Sequence, residues 1–244
     1  MKRVLLNSLL AAQAAKRPVA MVTELESGRQ ALISDTEAEG ELDLTGDILK
    51  KARQLLANDQ SKVLEDEGLF IQTYSPPLRL FVIGAVHIAQ ALVPMASLSD
   101  YDVTVIDPRQ AYATDARFPD VELVDEWPDD ALAEAALDRR SALVALTHDP
   151  KLDDPALTVA LKSDCFYIGA LGSKKTHGSR LERLEEAGMD PELFSRIHGP
   201  IGLDIGAKSP AEIAIAILGE MTSALRGGSA RGKSQAEKSG EAAA

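Results

Sequence analysis

Short apolar runs alternate with helix-like apolar patterns along residues 78–226. The runs predict strands at 79–84, 102–107, 121–125, 141–147 and 166–171. The spaced apolar positions predict helices at 87–97, 129–139, 154–163, 174–187 and 210–226. Alternation of this kind is typical of a parallel sheet that helices cover on both faces. The pattern therefore predicts an α/β fold, with a Rossmann-like domain over residues 77–226.

The flanking segments have a different pattern. Residues 1–76 predict a smaller α+β domain, with helices near 2–14 and 45–57 and strands near 18–25, 29–35 and 62–74. Two consecutive prolines, Pro76 and Pro77, stiffen the junction because neither can donate a backbone hydrogen bond. Residues 227–244 contain no aromatic or branched apolar side chain, so we expect a disordered tail there.

Composition excludes several classes of protein. The formal net charge of −12 argues against nonspecific nucleic-acid binding and against an anionic membrane surface. No apolar run reaches the roughly 18 residues needed for a membrane span. Cys165 is the single cysteine, so an internal disulfide and a cysteine-rich metal site are both excluded. A reducing cytoplasm is the expected location, and a packed, inert thiol is the expected role of Cys165.

The segment from Gly84 to Asp107 carries the strongest chemical signal. A predicted strand leads into Gly84, and a helix and a second strand follow it. The second strand ends at Asp107, which follows Gly84 by 23 residues. In dinucleotide-binding folds this acid accepts hydrogen bonds from a ribose, and the motif G-x-G-x-x-G/A holds the pyrophosphate. Here Val86 replaces the second glycine. The sequence thus predicts the fold strongly and ordinary NAD binding weakly.

Polar and small residues collect where the predicted parallel strands end, which is where such sheets bind ligands. We name these residues as candidates for cofactor binding, without assigning any catalytic or metal-binding residue. The candidates are Gly84, Ala85, Val86, His87, Asp107, Arg109, Thr147, His148, Gly172, Ser173, Lys174 and Arg180.

Several candidates have a plain structural alternative. His87 either contacts a ligand as a neutral imidazole or packs locally at its helix start. Asp107 either binds a ribose hydroxyl or forms a turn before Pro108, and Arg109 either pairs with a phosphate or with Asp107. His148, with acids nearby in sequence, is either a general base or metal ligand, or a residue without a function.

The stretch 174–183 forms a cationic island in an acidic domain. Lys174, Lys175, Arg180 and Arg183 face only one acid there, Glu182. Because the island follows a Gly-Ser turn at a helix start, it is a candidate anion site. The alternative is a solvated helix face. Residues 198–204, rich in glycine, are either a loop that covers the site or a simple connector.

These segments also resemble a known family. The blocks are LFVIGAVHIAQAL, VTVIDPR, ALTHDPKLDDPAL, YIGALGSKKTHGSRLERL and IHGPIGLDIGAKSPAEIAIAI, in order from Leu80 to Ile217. They are similar to the XdhC/CoxI family of accessory factors for molybdenum hydroxylases, such as xanthine dehydrogenase and carbon-monoxide dehydrogenase. The chain departs from the family at Val86, where many members have glycine, and in residues 1–76, which lack cysteine.

The resemblance implies a maturation factor that binds molybdopterin cofactor as cargo, or a nucleotide, and assists its modification or insertion. The implied partners are an apo molybdenum hydroxylase, a cysteine desulfurase and a second copy of the chain in a homodimer. Two other hypotheses stay open from the residues: an NAD(P)-dependent oxidoreductase, which Asp107 favours and Val86 opposes, and a protein-binding adaptor without a ligand.

Overall fold

The structure, a computed structural model, describes residues 2–228. The chain forms two compact units, one up to Pro76 and one from Pro77 onward. Residues 229–244, which make up most of the tail expected to be disordered, lie outside the described residues. None of the helices in the described part of the chain has both the length and the apolar content that crossing a bilayer requires.

The first unit is an antiparallel sheet with one helix on each face. Its elements are α1 (Arg3–Ala14), β1 (Val19–Glu24), β2 (Gln30–Ile33), β3 (Ala38–Gly40), α2 (Gly46–Ala57), β4 (Lys62–Leu64) and β5 (Leu69–Tyr74). The strands lie in the order β3-β2-β1-β5-β4. Ala20 and Val22 of β1 pack with α2, whereas Val19 and Met21 pack with α1. This alternation follows from the two-residue period of a strand.

The second unit contains six parallel strands and their connecting helices. Its elements are β6 (Leu78–Ile83), α3 (His87–Ser97), β7 (Tyr101–Ile106), β8 (Glu122–Val124), α4 (Pro128–Ala135), β9 (Ser141–Ala145), α5 (Pro150–Leu161), β10 (Tyr167–Ala170), α6 (Lys174–Glu186), a 3-10 helix (Pro191–Arg196), β11 (Ile197–His198) and α7 (Pro210–Arg226). The order β11-β10-β9-β6-β7-β8 confirms the predicted Rossmann-like sheet.

The strand order creates a crevice at one place. β6 pairs with β7 on one side and with β9 on the other, so the chain reverses its direction of winding at β6. Connections on the two sides of such a switch point leave the sheet on opposite faces, and ligands bind between them. We call the edge formed by the carboxyl ends of these strands the carboxyl edge. It includes Gly84, Asp107, Thr147 and Gly172.

Both faces of this sheet are buried, as a parallel sheet requires. Leu80 and Val82 of β6 pack with α3 and α7 on one face. Phe81 and Ile83 of the same strand pack with α4, α5 and α6 on the other. The nearly continuous apolar sequence of β6 and β9 follows from this double burial, since both faces of each strand are covered.

Some predicted boundaries were wrong. The strands expected near 62–74 are β4 and β5, which a turn at 65–68 joins. The helix expected from residue 154 begins at Pro150, because Asp149 accepts a hydrogen bond from the N–H of Lys151 and caps the helix earlier. The short strands β3 and β11 were not predicted.

The glycine-rich segment after β11 is held against α7 by one carboxylate. Glu220 accepts hydrogen bonds from the Tyr167 hydroxyl at 2.6 Å and from the N–H of Gly202 at 2.8 Å, and it lies 3.2 Å from Nδ1 of His198. Gly202 has φ of +90° and approaches Ala216 so closely that a Cβ would lie 3.1 Å from its methyl group. The segment is therefore anchored to the body of the domain.

The same contacts shift the ionisation of the cluster. Burial alone raises the pKa of Glu220, but the hydrogen bonds from His198, Tyr167 and Gly202 outweigh it, so the pKa is lowered from 4.5. Burial, followed by the bond to Glu220, raises the pKa of Tyr167 above its ordinary value. Glu220 is consequently ionised and Tyr167 neutral at neutral pH.

We expect Glu220→Gln to lower the free energy of unfolding by about 1–3 kcal/mol at pH 7, because all three donors lose a charged acceptor and the new amide NH2 cannot accept a hydrogen bond. Since the folded-state pKa of Glu220 is lowered, its stabilising effect is present above pH 4.5 and is lost as the pH falls below that value. Urea unfolding at pH 7 and below pH 4.5 measures both effects. If Glu220→Gln lowered the free energy of unfolding equally at the two pH values, the role of the ionised carboxylate as a stabilising acceptor would be contradicted.

Candidate functional site

Gly84 brings the ends of β6 and β9 together at the crevice. Its φ is +101°, and a Cβ added there would lie 2.3 Å from the Cγ2 methyl of Thr147. No side chain fits that space, and L-residues rarely adopt that backbone angle. This position thus requires glycine for a steric reason that is independent of any ligand.

Asp107 is fully buried at the end of β7 and has both carboxylate oxygens engaged within the protein. It accepts a 2.8 Å hydrogen bond from the N–H of Ala85 and three bonds from Arg109: from N–H at 3.0 Å, and from Nε and Nη2 at 2.8 Å. Burial raises its pKa, but the bonds from Arg109 and Ala85 outweigh burial and lower it. The carboxylate ties the Gly84 turn to β7.

Arg109 is the cation at this part of the edge. Its bidentate ion pair with Asp107 is the geometry in which a guanidinium and a carboxylate bind best. The guanidinium also lies 4.8 Å from the ring centre of Tyr112, a half-exposed side chain that the sequence did not single out. Asp107 and Tyr112 therefore hold the Arg109 guanidinium in place at the carboxyl edge.

The first turn of α3 offers backbone N–H groups at the crevice. Val86 is the N-cap residue, and its side chain can accept no hydrogen bond. The N–H of Gln90 bonds to the carbonyl of Val86. The N–H groups of His87, Ile88 and Ala89 precede any helical partner, and in the described part of the chain no side chain caps them. Such a helix start favours an anion.

At the end of β9, a buried acid orders the residues that face the crevice. Asp153, 1% exposed, accepts hydrogen bonds from the Thr147 hydroxyl at 2.6 Å and from the N–H of His148 at 3.1 Å. His148 adopts φ of +62°, unusual for a residue with a side chain. Burial raises the pKa of Asp153, in spite of these donors and of Arg180 nearby. Asp153 fixes the backbone of the Thr147–His148 pair.

The cationic island is divided between the interior and the surface. Arg183 pairs with Asp154 at 2.6 Å, and Arg180 is buried with its Nη2 3.6 Å from Asp153. Lys174 and Lys175 lie at the surface, at the start of α6. Only part of the island is thus a solvated helix face, and Arg180 belongs to the packed interior beneath it.

The structure brings most of the candidates to one edge. Gly84, Asp107 and Thr147 meet at the switch point, and Gly172 and Lys174 lie at the end of β10, farther along the sheet. His87 is exposed on the first turn of α3. Within residues 2–228, no three His, Cys, Asp or Glu side chains are arranged to hold a metal ion.

We expect Gly84→Ala to lower the free energy of unfolding by at least about 2 kcal/mol, because the new methyl group meets Thr147 and the backbone angle is strained. Thr147→Ser in the same chain should recover part of this loss, since serine lacks the clashing methyl group but keeps the hydroxyl that bonds to Asp153. Chemical denaturation of Gly84→Ala, of Thr147→Ser and of the double variant measures the coupling between the two positions.

Gly178→Ala is the matched control, because a Cβ at this helical glycine meets nothing within 4 Å. We expect it to be neutral or slightly stabilising. If Gly84→Ala behaved like this control, or if Thr147→Ser recovered nothing, the close contact between β6 and β9 would not be the cause.

Comparison with known proteins gives relatives that match more than half of this chain. The molybdenum cofactor insertion chaperone PaoD of Escherichia coli K12 is 31% identical over 150 residues, which are 62% of this chain and 41% of PaoD. A probable xanthine dehydrogenase subunit of Bacillus subtilis 168 is 32% identical over 155 residues, which are 63% of this chain and 45% of that protein. The chain thus spans less than half the length of these relatives.

A solved structure extends the similarity over both units. The crystal structure of a protein described as a xanthine dehydrogenase from Bacillus halodurans matches 97% of this chain and 69% of its own, with a TM-score of 0.72 and 26% sequence identity. A family model described as the XdhC Rossmann domain matches residues 80–221. This match covers more than half of the chain and coincides with the six-stranded unit, so the chain belongs to the XdhC family.

Proposed function

We propose that this protein is a maturation factor for a molybdenum hydroxylase, of the xanthine dehydrogenase or carbon-monoxide dehydrogenase type. In this proposal it binds molybdopterin cofactor or a related nucleotide as cargo and assists its modification or insertion. Membership of the XdhC family and the names of two relatives, one a molybdenum cofactor insertion chaperone and the other a xanthine dehydrogenase component, support the proposal. An apo molybdenum hydroxylase is the proposed partner.

The uncapped first turn of α3 is the observation that carries the proposal. It lies at the switch point of the sheet, where ligands of doubly wound folds bind. Molybdopterin carries a phosphate, and the N–H groups of His87, Ile88 and Ala89 are suited to receive it. Arg109 and Thr147 lie at the neighbouring strand ends and are the proposed flanking contacts.

An NAD(P)-dependent oxidoreductase is less well supported. Recognition of a nicotinamide dinucleotide in this fold uses an acid that accepts hydrogen bonds from the ribose diol. Asp107 occupies that position, but it is buried and its oxygens are already bonded to Ala85 and Arg109. A ribose would have to displace Arg109 before it reached this carboxylate.

Val86→Asp tests the proposed site, and its melting temperature is measured as well because the partly buried Val86 side chain packs against the apolar core of the second unit. Aspartate is a favourable N-cap, and its carboxylate is expected to bond the N–H groups that the cargo needs. We expect the protein purified from a bacterial host that makes molybdenum cofactor to carry a pterin, measured by native mass spectrometry and by fluorescence of the oxidised pterin. Val86→Asp should lose most of it while the melting temperature is kept.

Leu98→Asp is the control, since it makes the same charge change at a position 87% exposed beyond the other end of α3. It should retain the pterin. Retention of the pterin by Val86→Asp would exclude the start of α3 as the site. A bound adenine nucleotide without pterin would favour an enzyme that uses a nucleotide, and a protein empty of both would favour an adaptor.

A further inference from the structure

The start of α6 is a second place where the carboxyl edge presents unbonded N–H groups. α6 follows β10, which is separated from β6 by β9. Since neighbouring strands lie about 4.8 Å apart, the ends of β6 and β10 are about 10 Å apart along the edge, and α3 and α6 leave these ends on opposite faces of the sheet. The two helix starts are therefore separate positions on the carboxyl edge.

The first turn of α6 uses only some of its donors. The N–H of Thr176 bonds to the Ser173 hydroxyl oxygen at 3.1 Å, and the N–H of His177 bonds to the Ser173 carbonyl at 2.9 Å. The N–H groups of Lys174 and Lys175 have no hydrogen-bond partner among residues 2–228, and neither lysine side chain forms an ion pair there. This turn thus concentrates positive charge and free donors.

A buried arginine with unused donors lies behind the same turn. Arg180 is only 1% exposed, and its Nη2 donates a 2.8 Å hydrogen bond to the carbonyl of Leu171. That bond directs the guanidinium back along the helix to the Leu171–Ser173 turn that opens α6. Its Nε and Nη1 have no hydrogen-bond partner in the described structure. Buried donors without a partner are rare and point to a missing acceptor.

The neighbouring acids do not supply that acceptor. Asp154 is engaged by Arg183 at 2.6 Å, and Asp153 accepts bonds from Thr147 and His148 while its carboxylate stays 3.6 Å from Arg180. The imidazole of His177 also lies near Arg180. Burial, and then the charge of Arg180, lower its pKa, so it is neutral and adds no competing charge.

We propose that the start of α6 is a second anion subsite, which binds a tetrahedral phosphate group between the N–H groups and side chains of Lys174 and Lys175, with Arg180 behind them. The ligand chemistry is a phosphate dianion, free or as a monoester. The inference rests on the proposed function, because the larger molecule that would carry this phosphate is the cargo proposed there. A ligand that occupied both helix starts would carry two anionic groups at least about 10 Å apart, which is the distance that the spacing of the strands sets.

Phosphate titrations isolate this subsite when they are made in the Val86→Asp background, where the start of α3 is already capped. We expect inorganic phosphate at constant ionic strength to show saturable binding by ³¹P NMR line broadening. Lys174→Gln with Lys175→Gln should weaken it at least fivefold. Lys50→Gln with Lys62→Gln, the same charge change at surface positions of the first unit, should leave it unchanged.

Arg180→Gln should weaken phosphate binding to a similar extent, with its fold checked by near-UV circular dichroism. The lysine variants keep the test decisive if this variant does not fold, because both lysines lie at the surface. Absence of saturable binding in the Val86→Asp protein, or equal binding with and without the two lysines, would overturn the subsite.

Two further comparisons are needed. One distinguishes free phosphate from a phosphate carried by a larger ligand, and the other distinguishes failure of the α6 subsite from failure of the proposed function. Tighter binding of a nucleoside monophosphate than of inorganic phosphate assigns the subsite to a phosphate carried by a larger ligand, whereas equal binding assigns it to free phosphate. Pterin bound to the purified protein without phosphate binding at α6 removes only the subsite. Phosphate binding at α6 in a protein that never carries pterin removes only the proposed cargo.

Discussion

The geometry of the crevice depends on the buried carboxylate of Asp107. It bonds the N–H of Ala85 and so fixes the turn that leads from β6 into α3, while Arg109 neutralises the charge that burial would otherwise make costly. The direction of α3, and with it the direction in which its free N–H groups point, follows from these hydrogen bonds together with the packing of Ala89, Leu92 and Val93 in the core.

The same arrangement recurs at other strand ends of the domain. Asp153 bonds the backbone after β9, and Glu220 bonds the backbone after β11. Each carboxylate accepts N–H groups of an irregular segment that the sheet cannot satisfy, which answers the requirement that buried backbone donors be bonded. A carboxylate is suited to this task because it accepts several hydrogen bonds at once. The loops at this edge are consequently ordered by side chains of the sheet and helices beneath them.

Local sequence signals were sufficient for much of the fold, but not for the site. The capping box formed by Ser209 and Glu212 begins α7 where the sequence indicates, whereas β11 has only two residues, too few for any period to be detected. The character of the site depends on contacts between distant segments. Arg180 and Lys174 are both cationic residues of the same predicted helix, yet Arg180 is buried and Lys174 is exposed. Arg183 is engaged by Asp154, which lies 29 residues earlier in the chain. Only the tertiary pairing decided which charges are left for a ligand.

This pairing also determines how an anion would be held. With Arg109 engaged by Asp107 and Arg183 by Asp154, much of the positive charge near the edge is neutralised within the protein. Attraction then comes from the backbone N–H groups and dipoles of the helix starts, whose effect falls off within the first turn, and at α6 also from the exposed side chains of Lys174 and Lys175. A ligand is thus recognised by where its negative charges lie rather than by their number. In a protein with a net charge of −12, that local recognition is what distinguishes a fitting anion from the anions that the surface repels.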